Sequence, residues 1–484
     1  MAEKQNANIE NEEKKGGSPE PQAKNAGKAE PSAENAGSQE KSATPAKNAG
    51  KTRKDGFFQK EISAAKFRKV FLIALFISGV AVLVAALCGF SLVVIDTSVG
   101  DRIFGDFWET ARFSLAKNPY GEAYRSSYPP AAFLPMAPFA LICKDALSLS
   151  MAEASKTSLF VLSVSLFYAL NFALCGMLLC RLTKTKVFSP DGALRFLAVG
   201  ASFPAVFMIA RGNVIILSLL FLLLFLNFYE SPSRALRLFA CLFLGIAGAM
   251  KLYVLAFALL YVRRGRMQSA LLTAVFFAAA FFLPFLFYGK GALSEWWLHM
   301  NGFLGDTSGM AHANNVGILQ LVIAPLSLVR LAGAEVPGWV TKIYLLLQLL
   351  FAVAVTATAL FDRDDLRQFL LISLCCCQIA NPSYAYILLM LLPAAFAVIS
   401  RERVALPLAA VLFFVLCPLC YIKFIGCYLQ CFALSAATIT LLVRSLKNAK
   451  KSAGKGTFGR RIKALFYGFV DNGKRAEALQ GREE

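Results

Sequence analysis

From Val70 to Ile95 the chain runs without one charged side chain, longer than the roughly 20 apolar residues that carry an α-helix across the hydrocarbon layer of a bilayer. Similar runs recur: Thr157 to Cys180, Ala193 to Ala210, Val214 to Tyr229, Leu236 to Val262, Met267 to Tyr288, Trp339 to Phe361, Phe369 to Ala380, Tyr384 to Ile399, Val404 to Tyr421 and Cys427 to Val443. With 57% of 484 residues hydrophobic, no soluble fold hides this much apolar surface. The expected class is an all-α polytopic membrane protein.

Charge orients the runs. Half of the 50 Lys and Arg residues lie before Val70 or after Val443, and most of the others sit in short connections between apolar runs. Basic connections stay on the cytoplasmic face beside anionic headgroups. The net charge of +20 therefore points to a lipid surface and away from nucleic acid. Lys60, Lys66, Arg68 and Lys69 hold the start of the first run inside, and alternation predicts about twelve spans with both termini cytoplasmic. Leu236 to Val262 counts as two, a helical hairpin with its turn near Lys251 toward the outer side, because both flanks, SPSRALR and RRGR, are basic. The segment YPPAAFLPMAPFALIC is short and broken by four prolines. It reads as re-entrant at the outer leaflet, since a full crossing would put RLTKTK outside.

Three regions follow. Residues 1–55 repeat KNAGK and ENAG with almost no large apolar side chain and are expected to be a disordered cytoplasmic tail. Residues 56–445 form the membrane domain, whose first apolar run is expected to stay as an anchor because the polar stretch before it does not fit a signal peptide. Residues 446–484 form a basic cytoplasmic tail in which GRRIKALFYGFV suits a membrane surface. The 12 cysteines all lie in or beside apolar stretches and imply no disulfide framework. Cys417 and Cys420 have C-x-x-C spacing but neither a second pair nor a nearby His, and read as packing.

The two expected outer regions, Asp96 to Ser127 and Gly289 to about Pro337, carry most of the polar functionality, so an active site should face outward. Arg211 and Lys251 lie within apolar surroundings without a sequence-local acid. Such placement costs about 2.5–3.5 kcal/mol on insertion scales, which function or snorkelling to headgroups would offset. Asp101 and Asp106 are not a D-x-D pair, and His299 and His312 lie far apart in a loop. No resident metal is expected.

Taken in order, GDFWETARFSLAKNPY, YPPAAFLPMAPFAL, RGNVIILSLLFLLLFL, GAMKLYVLAFALLYVRRGR, HANNVGILQLV and NPSYAYILLMLLP resemble the family 87 glycosyltransferases, over about Val70 to Val443. These are integral membrane enzymes of the GT-C class, typified by polyprenol-phosphate-mannose-dependent mannosyltransferases. The chain departs from the family at Thr110, where a second aromatic is frequent, and at Asn315-Val316, where Gln-Ser is frequent.

The resemblance implies transfer of a hexose or pentose from a polyprenyl-phosphate donor to a lipid or glycan acceptor hydroxyl, with inversion, on the outer face of the cell membrane. It implies no organic cofactor and leaves open a divalent ion, which some GT-C enzymes use. A hydroxyl nucleophile needs a proton acceptor, and the match gives that role to Asp106 with Asp101 in reserve. A departing phosphate gains negative charge that fixed cations stabilise, and Arg pairs two oxygens at once. The match gives the phosphate to Arg211 and Lys251, with Asn213 beside them. Tyr128 would pack against the donor, and His312, Asn314 and Asn315 would hydrogen-bond a sugar. Against these stand plainer assignments: Asp106 as a helix cap or solvated carboxylate, Tyr128 as part of a proline-enforced structural stop, and His312 as a solvated loop residue. For the whole chain the alternatives are a lipid or glycoconjugate transporter and a scaffold. Transporters commonly carry internal repeats, and the halves of this chain show none.

Overall fold

The computed structural model describes residues 60–87, 103–305, 315–318, 338–362, 364–380, 384–420 and 426–452. Asp96, Asp101, His312, Asn314 and both tails as expected above, apart from the start of the second, lie outside the described residues.

Helix follows the apolar runs. The first is α1 (Ala64–Leu87), and α2 (Gly105–Leu115) comes from the first expected outer region. The proline-rich segment breaks into α3 (Pro130–Phe133), a 3-10 turn, α4 (Ala137–Ile142), a second 3-10 turn (Asp145–Ser148) and α5 (Met151–Ala154). Then come α6 (Ser158–Leu182), α7 (Pro190–Ala201), α8 (Phe203–Arg211), α9 (Ile215–Phe228) and α10 (Arg234–Met250). A 3-10 stretch (Leu252–Ala258) leads into α11 (Leu259–Arg263), followed by α12 (Met267–Phe282) and α13 (Ala292–Gly305). The last elements are α14 (Gly338–Phe361), α15 (Asp365–Ile379), a 3-10 stretch (Ala385–Leu391) leading into α16 (Leu392–Ile399), α17 (Leu406–Leu416) and α18 (Gly426–Ser452).

Among the described residues, Ala64–Val84, Ser158–Leu182, Met267–Tyr288 and Cys427–Lys447 are each long and apolar enough to cross a membrane, and the α7–α8 pair makes a fifth if taken as one bent span. Ile215–Phe228, Leu252–Arg263, Leu345–Phe361, Ala385–Ile399 and Leu406–Leu416 are shorter apolar helical stretches. On α1, Val70, Ile73, Ile77, Val80 and Val84 are exposed while Phe67, Phe71, Ala74 and Leu75 are buried. An apolar stripe turned outward at helical spacing suits lipid and not water. The protein is a helical, membrane-embedded one.

Three departures from the simple helical pattern have local causes. The run Ala193 to Ala210, predicted as one span, bends by 40° at Ser202, which is extended; Pro204 has no N–H for the preceding turn and its ring clashes with that turn's carbonyl. Lys251 is also extended, and the chain after it folds back, so that Cys241 Sγ and Tyr261 Oη lie 3.4 Å apart. That contact is impossible in one continuous helix, whose axis would rise about 30 Å over the interval. Third, the chain is not wholly helical: β1 (Glu61–Ser63) pairs antiparallel with β2 (Arg403–Ala405).

The connections predicted to be cytoplasmic are tied to one another. Arg68 bonds Asp191 and the Ile399 carbonyl, Arg264 pairs with Glu230, Arg263 with Asp365, and Arg401 lies 3.6 Å from Asp364. Arg367 forks onto Asp362 with both contacts at 3.0 Å, and Ser445 bonds the same carboxylate. The two expected outer regions also meet. Trp296 Nε1 donates to the Ser127 carbonyl at 3.0 Å, and Asn118 Nδ2 to Glu295 at 3.2 Å. The proline-rich segment packs on α2 and α6, with its second 3-10 turn back against α2.

Candidate functional site

The tripeptide Arg211-Gly212-Asn213 builds the centre of the site. Gly212 ends α8 in the left-handed conformation, φ 75°, and the N–H of Asn213 returns to the Met208 carbonyl at 3.0 Å, closing the turn with the bonding of a glycine C-cap. A Cβ at Gly212 would lie 2.7 Å from Phe104 Cα, and the Phe104 N–H donates to Ala210 O at 2.9 Å. The main chain leading into α2 is therefore docked on the end of α8.

That contact positions Asp106, in the first turn of α2, where a carboxylate is favoured by the helix dipole. Phe107 fixes the rotation of α2 by wedging between Phe160 and Phe167 of α6, at 5.7 and 5.6 Å between ring centres. Asp106 is only 8% exposed. Arg211 Nη2 donates to its Oδ1 at 3.0 Å and Asn213 Nδ2 to its Oδ2 at 2.6 Å.

The Asn213 amide has one orientation available. Its Oδ1 accepts from the Ile215 N–H at 3.0 Å, which turns the NH2 group toward Asp106 and toward the Tyr128 hydroxyl at 3.2 Å. Tyr128 in turn is held by its carbonyl, which accepts from Tyr120 Oη at 3.2 Å, and by the two prolines after it, which fix an extended entry into α3. Burial, with Asp106 facing it, pushes the Tyr128 phenol well above its usual value, so the hydroxyl stays protonated and able to donate.

Lys251 comes from the hairpin break between α10 and the following 3-10 stretch. Its Nζ lies 4.7 Å from the Tyr128 ring centre and 5.9 Å from that of Tyr386, and among the described residues no carboxylate pairs with it. Among the described residues one carboxylate thus serves two cations, and the Lys251 charge has no carboxylate paired with it.

The structure accordingly brings together Asp106, Tyr128, Arg211, Asn213 and Lys251. Asn315 is buried and enters differently: it bridges Tyr384 through the backbone, and its side-chain oxygen accepts from the Gly317 N–H at 2.9 Å. Tyr384 packs on Tyr386 at 5.8 Å, which links Asn315 to the far wall of the site. His299 reaches the Tyr120 carbonyl at 2.9 Å. Two participants escaped sequence reasoning. Tyr168 of α6 donates to the Asn213 carbonyl at 3.2 Å, and Tyr386 lies beneath Lys251. Each stands in an apolar helix, where a tyrosine has no local mark to separate it from packing, although Tyr386 sits within NPSYAY. Among the described residues no group of three or more His, Cys, Asp or Glu is arranged to hold a metal ion.

The family model of glycosyltransferase family 87 matches residues 127–382, just over half of the chain. The match includes Tyr128, Arg211, Asn213, Lys251 and Asn315, and it begins after Asp106 and ends before Tyr384. No curated protein and no solved structure matches.

Proposed function

The chain belongs to glycosyltransferase family 87 and is thereby a transferase, and from that premise we propose that it moves a hexose or pentose from a polyprenyl-phosphate donor to an acceptor hydroxyl, with inversion, at the extracytoplasmic side of the cell membrane. The observation that carries this reading is the buried cluster of Asp106 with Arg211, Asn213, Tyr128 and Lys251.

In the proposed reaction the acceptor oxygen attacks the anomeric carbon while the carbon–oxygen bond to phosphate breaks. The bonding pair leaves with the phosphate oxygen, and the hydroxyl proton passes to the Asp106 carboxylate. A carboxylate held by two donors still has free lone pairs for that proton. The donor is a phosphodiester with one negative charge, which Lys251, paired with no carboxylate among the described residues, matches. The departing polyprenyl phosphate carries more charge, so the same cations stabilise the transition state beyond the ground state. Arg211 has five N–H donors, enough to span carboxylate and phosphate together.

The transporter alternative has no comparable support, because the family is one of glycosyltransferases. Purified protein supplied with a short-chain polyprenyl-phosphate hexose or pentose and a glycan acceptor is expected to form a new glycoside and release polyprenyl phosphate. Movement of intact donor across a vesicle with no glycoside formed would overturn the proposal. A chelator arm of the same assay tests the divalent ion.

A further inference from the structure

One face of α2 and the loop Ala123–Tyr128 border an open cleft of about 210 Å³ lined by Trp108, Glu109, Arg112 and Tyr124 among others, with Tyr128 as the wall it shares with the Asp106 cluster. It is smaller than the roughly 300–1,000 Å³ of ordinary small-molecule sites, a size that suits one sugar ring. Asp106, Glu109 and Arg112 are spaced three apart on one helix, so they follow one another along one face at about 5–6 Å.

The lining is built for hydroxyl groups. The Arg112 guanidinium lies over Trp108 at 4.3 Å and faces Tyr124 at 5.3 Å, so aromatic rings cover its flat face and its N–H edge is what can meet a ligand. Glu109 supplies acceptors beside those donors, and a carboxylate there opposes a second phosphate. The Trp108 indole N–H is buried and has no hydrogen-bond acceptor among the described residues. Donors and acceptors of both kinds around an aromatic ring match the vicinal hydroxyls and the C–H face of a sugar.

We infer that this cleft is the acceptor subsite, that it takes the terminal sugar of a glycan, and that Glu109, Arg112 and Trp108 hold that sugar with one hydroxyl toward Tyr128 and Asp106. The inference rests on the glycosyl-transfer reading, and its position explains how an acceptor reaches the proposed base without crossing the phosphate-binding cations.

The test uses the full chain purified in detergent and calorimetric titration with two probes: a panel of methyl disaccharides of hexoses and pentoses, and a short-chain polyprenyl phosphate. Glu109→Gln and Arg112→Gln, on side chains outside the core, are each expected to weaken saccharide binding tenfold or more and to leave polyprenyl phosphate binding unchanged. Saccharide binding unaffected in both variants, or absent in the unsubstituted protein for every panel member at millimolar concentration, would sink the assignment. So would loss of polyprenyl phosphate binding in Arg112→Gln, which would make the cleft part of the donor site. Retained polyprenyl phosphate binding in Arg211→Met, with the saccharide still lost in the two cleft variants, would overturn the donor assignment and support the acceptor one.

Discussion

The guanidinium of Arg211 lies 3.0 Å from the carboxylate of Asp106 across 105 residues of sequence, joining the proposed phosphate-binding group directly to the proposed base. Asp106→Asn keeps the size and most of the hydrogen bonding of the side chain and removes its capacity to take a proton. Turnover with a short-chain polyprenyl-phosphate sugar is expected to fall by about 10²–10⁴, the usual contribution of a general base, with donor binding retained. Asp101→Asn is expected to cost less. Near-normal turnover in Asp106→Asn with loss in Asp101→Asn would move the base to Asp101.

Arg211→Met and Lys251→Met each remove one charge-assisted contact, worth about 1.5–3 kcal/mol, so donor use is expected to fall roughly tenfold to over a hundredfold. The two differ in a second respect. Arg211→Met also strips Asp106 of its ion-pair partner, so it is expected to couple with Asp106→Asn in a double-mutant cycle, whereas the Lys251 variant is expected to couple less. Unchanged activity in both single variants would return these cations to headgroup snorkelling.

Gly212→Ala should be worse than its size suggests. Its φ of 75° and the 2.7 Å approach to Phe104 Cα leave no place for a methyl, and backbone strain of this kind costs about 1–3 kcal/mol. The thermal midpoint in detergent is expected to drop, and activity with it, because α2 is seated against this turn. A variant with normal midpoint and turnover would show that the docking of α2 does not depend on the glycine.

Those residues also show what was legible from the chain. Arg211 and Lys251 were visible because a charge in an apolar run is rare and costly, and the helix breaks at Pro204 and Lys251 fall where proline and charge interrupt a run. Asp106 needed the family resemblance, since nothing in a loop carboxylate says which way it points. The pairing of Asp106 with Arg211 was not readable: it depends on main-chain docking at Phe104, to which the Phe104 side chain contributes no pattern. Tyr168 and Tyr386 were hidden for the same reason, as hydroxyls on helices whose periodicity reports only burial.

Burial alone would push the Asp362 carboxyl up, but hydrogen bonds from Arg367, Ser445 and the Asp364 N–H outweigh it and hold the group below its usual value of 3.8. A carboxyl depressed in the folded state adds stability above its unfolded value and loses it as pH falls through the folded one. The thermal midpoint is therefore expected to be insensitive to this group near neutrality and to fall below about pH 4. Asp362→Asn, which breaks the fork to Arg367, is expected to cost about 1–3 kcal/mol and to flatten that acid limb. An unchanged acid limb in the variant would assign it to other carboxylates.

Sidedness is open to a direct check. Reporters fused after Lys186, Arg266 and Lys450 are expected to read as cytoplasmic, and those after Thr97 and Ser308 as external, following the basic connections. An external reading at Lys186 would turn the proline-rich segment into a full span.

The β1–β2 ribbon sets an order of assembly. Its strands, the Arg68 bond to the Ile399 carbonyl 331 residues away and the packing of Phe71 on Phe413 at 6.0 Å all join the first helix to the last quarter of the chain. At about 5–20 residues per second during synthesis, α1 enters the bilayer on the order of tens of seconds before β2 and α17 exist. Through that interval β1 has an unpaired edge and one flank of α1 meets only lipid or the insertion machinery. A nascent chain halted before Arg403 would carry every residue of the Asp106 cluster and could seat α1 on α7 through Arg68 and Asp191, yet β1 would still lack its strand partner and Phe71 its contact with Phe413, so closure of this flank belongs to the end of translation.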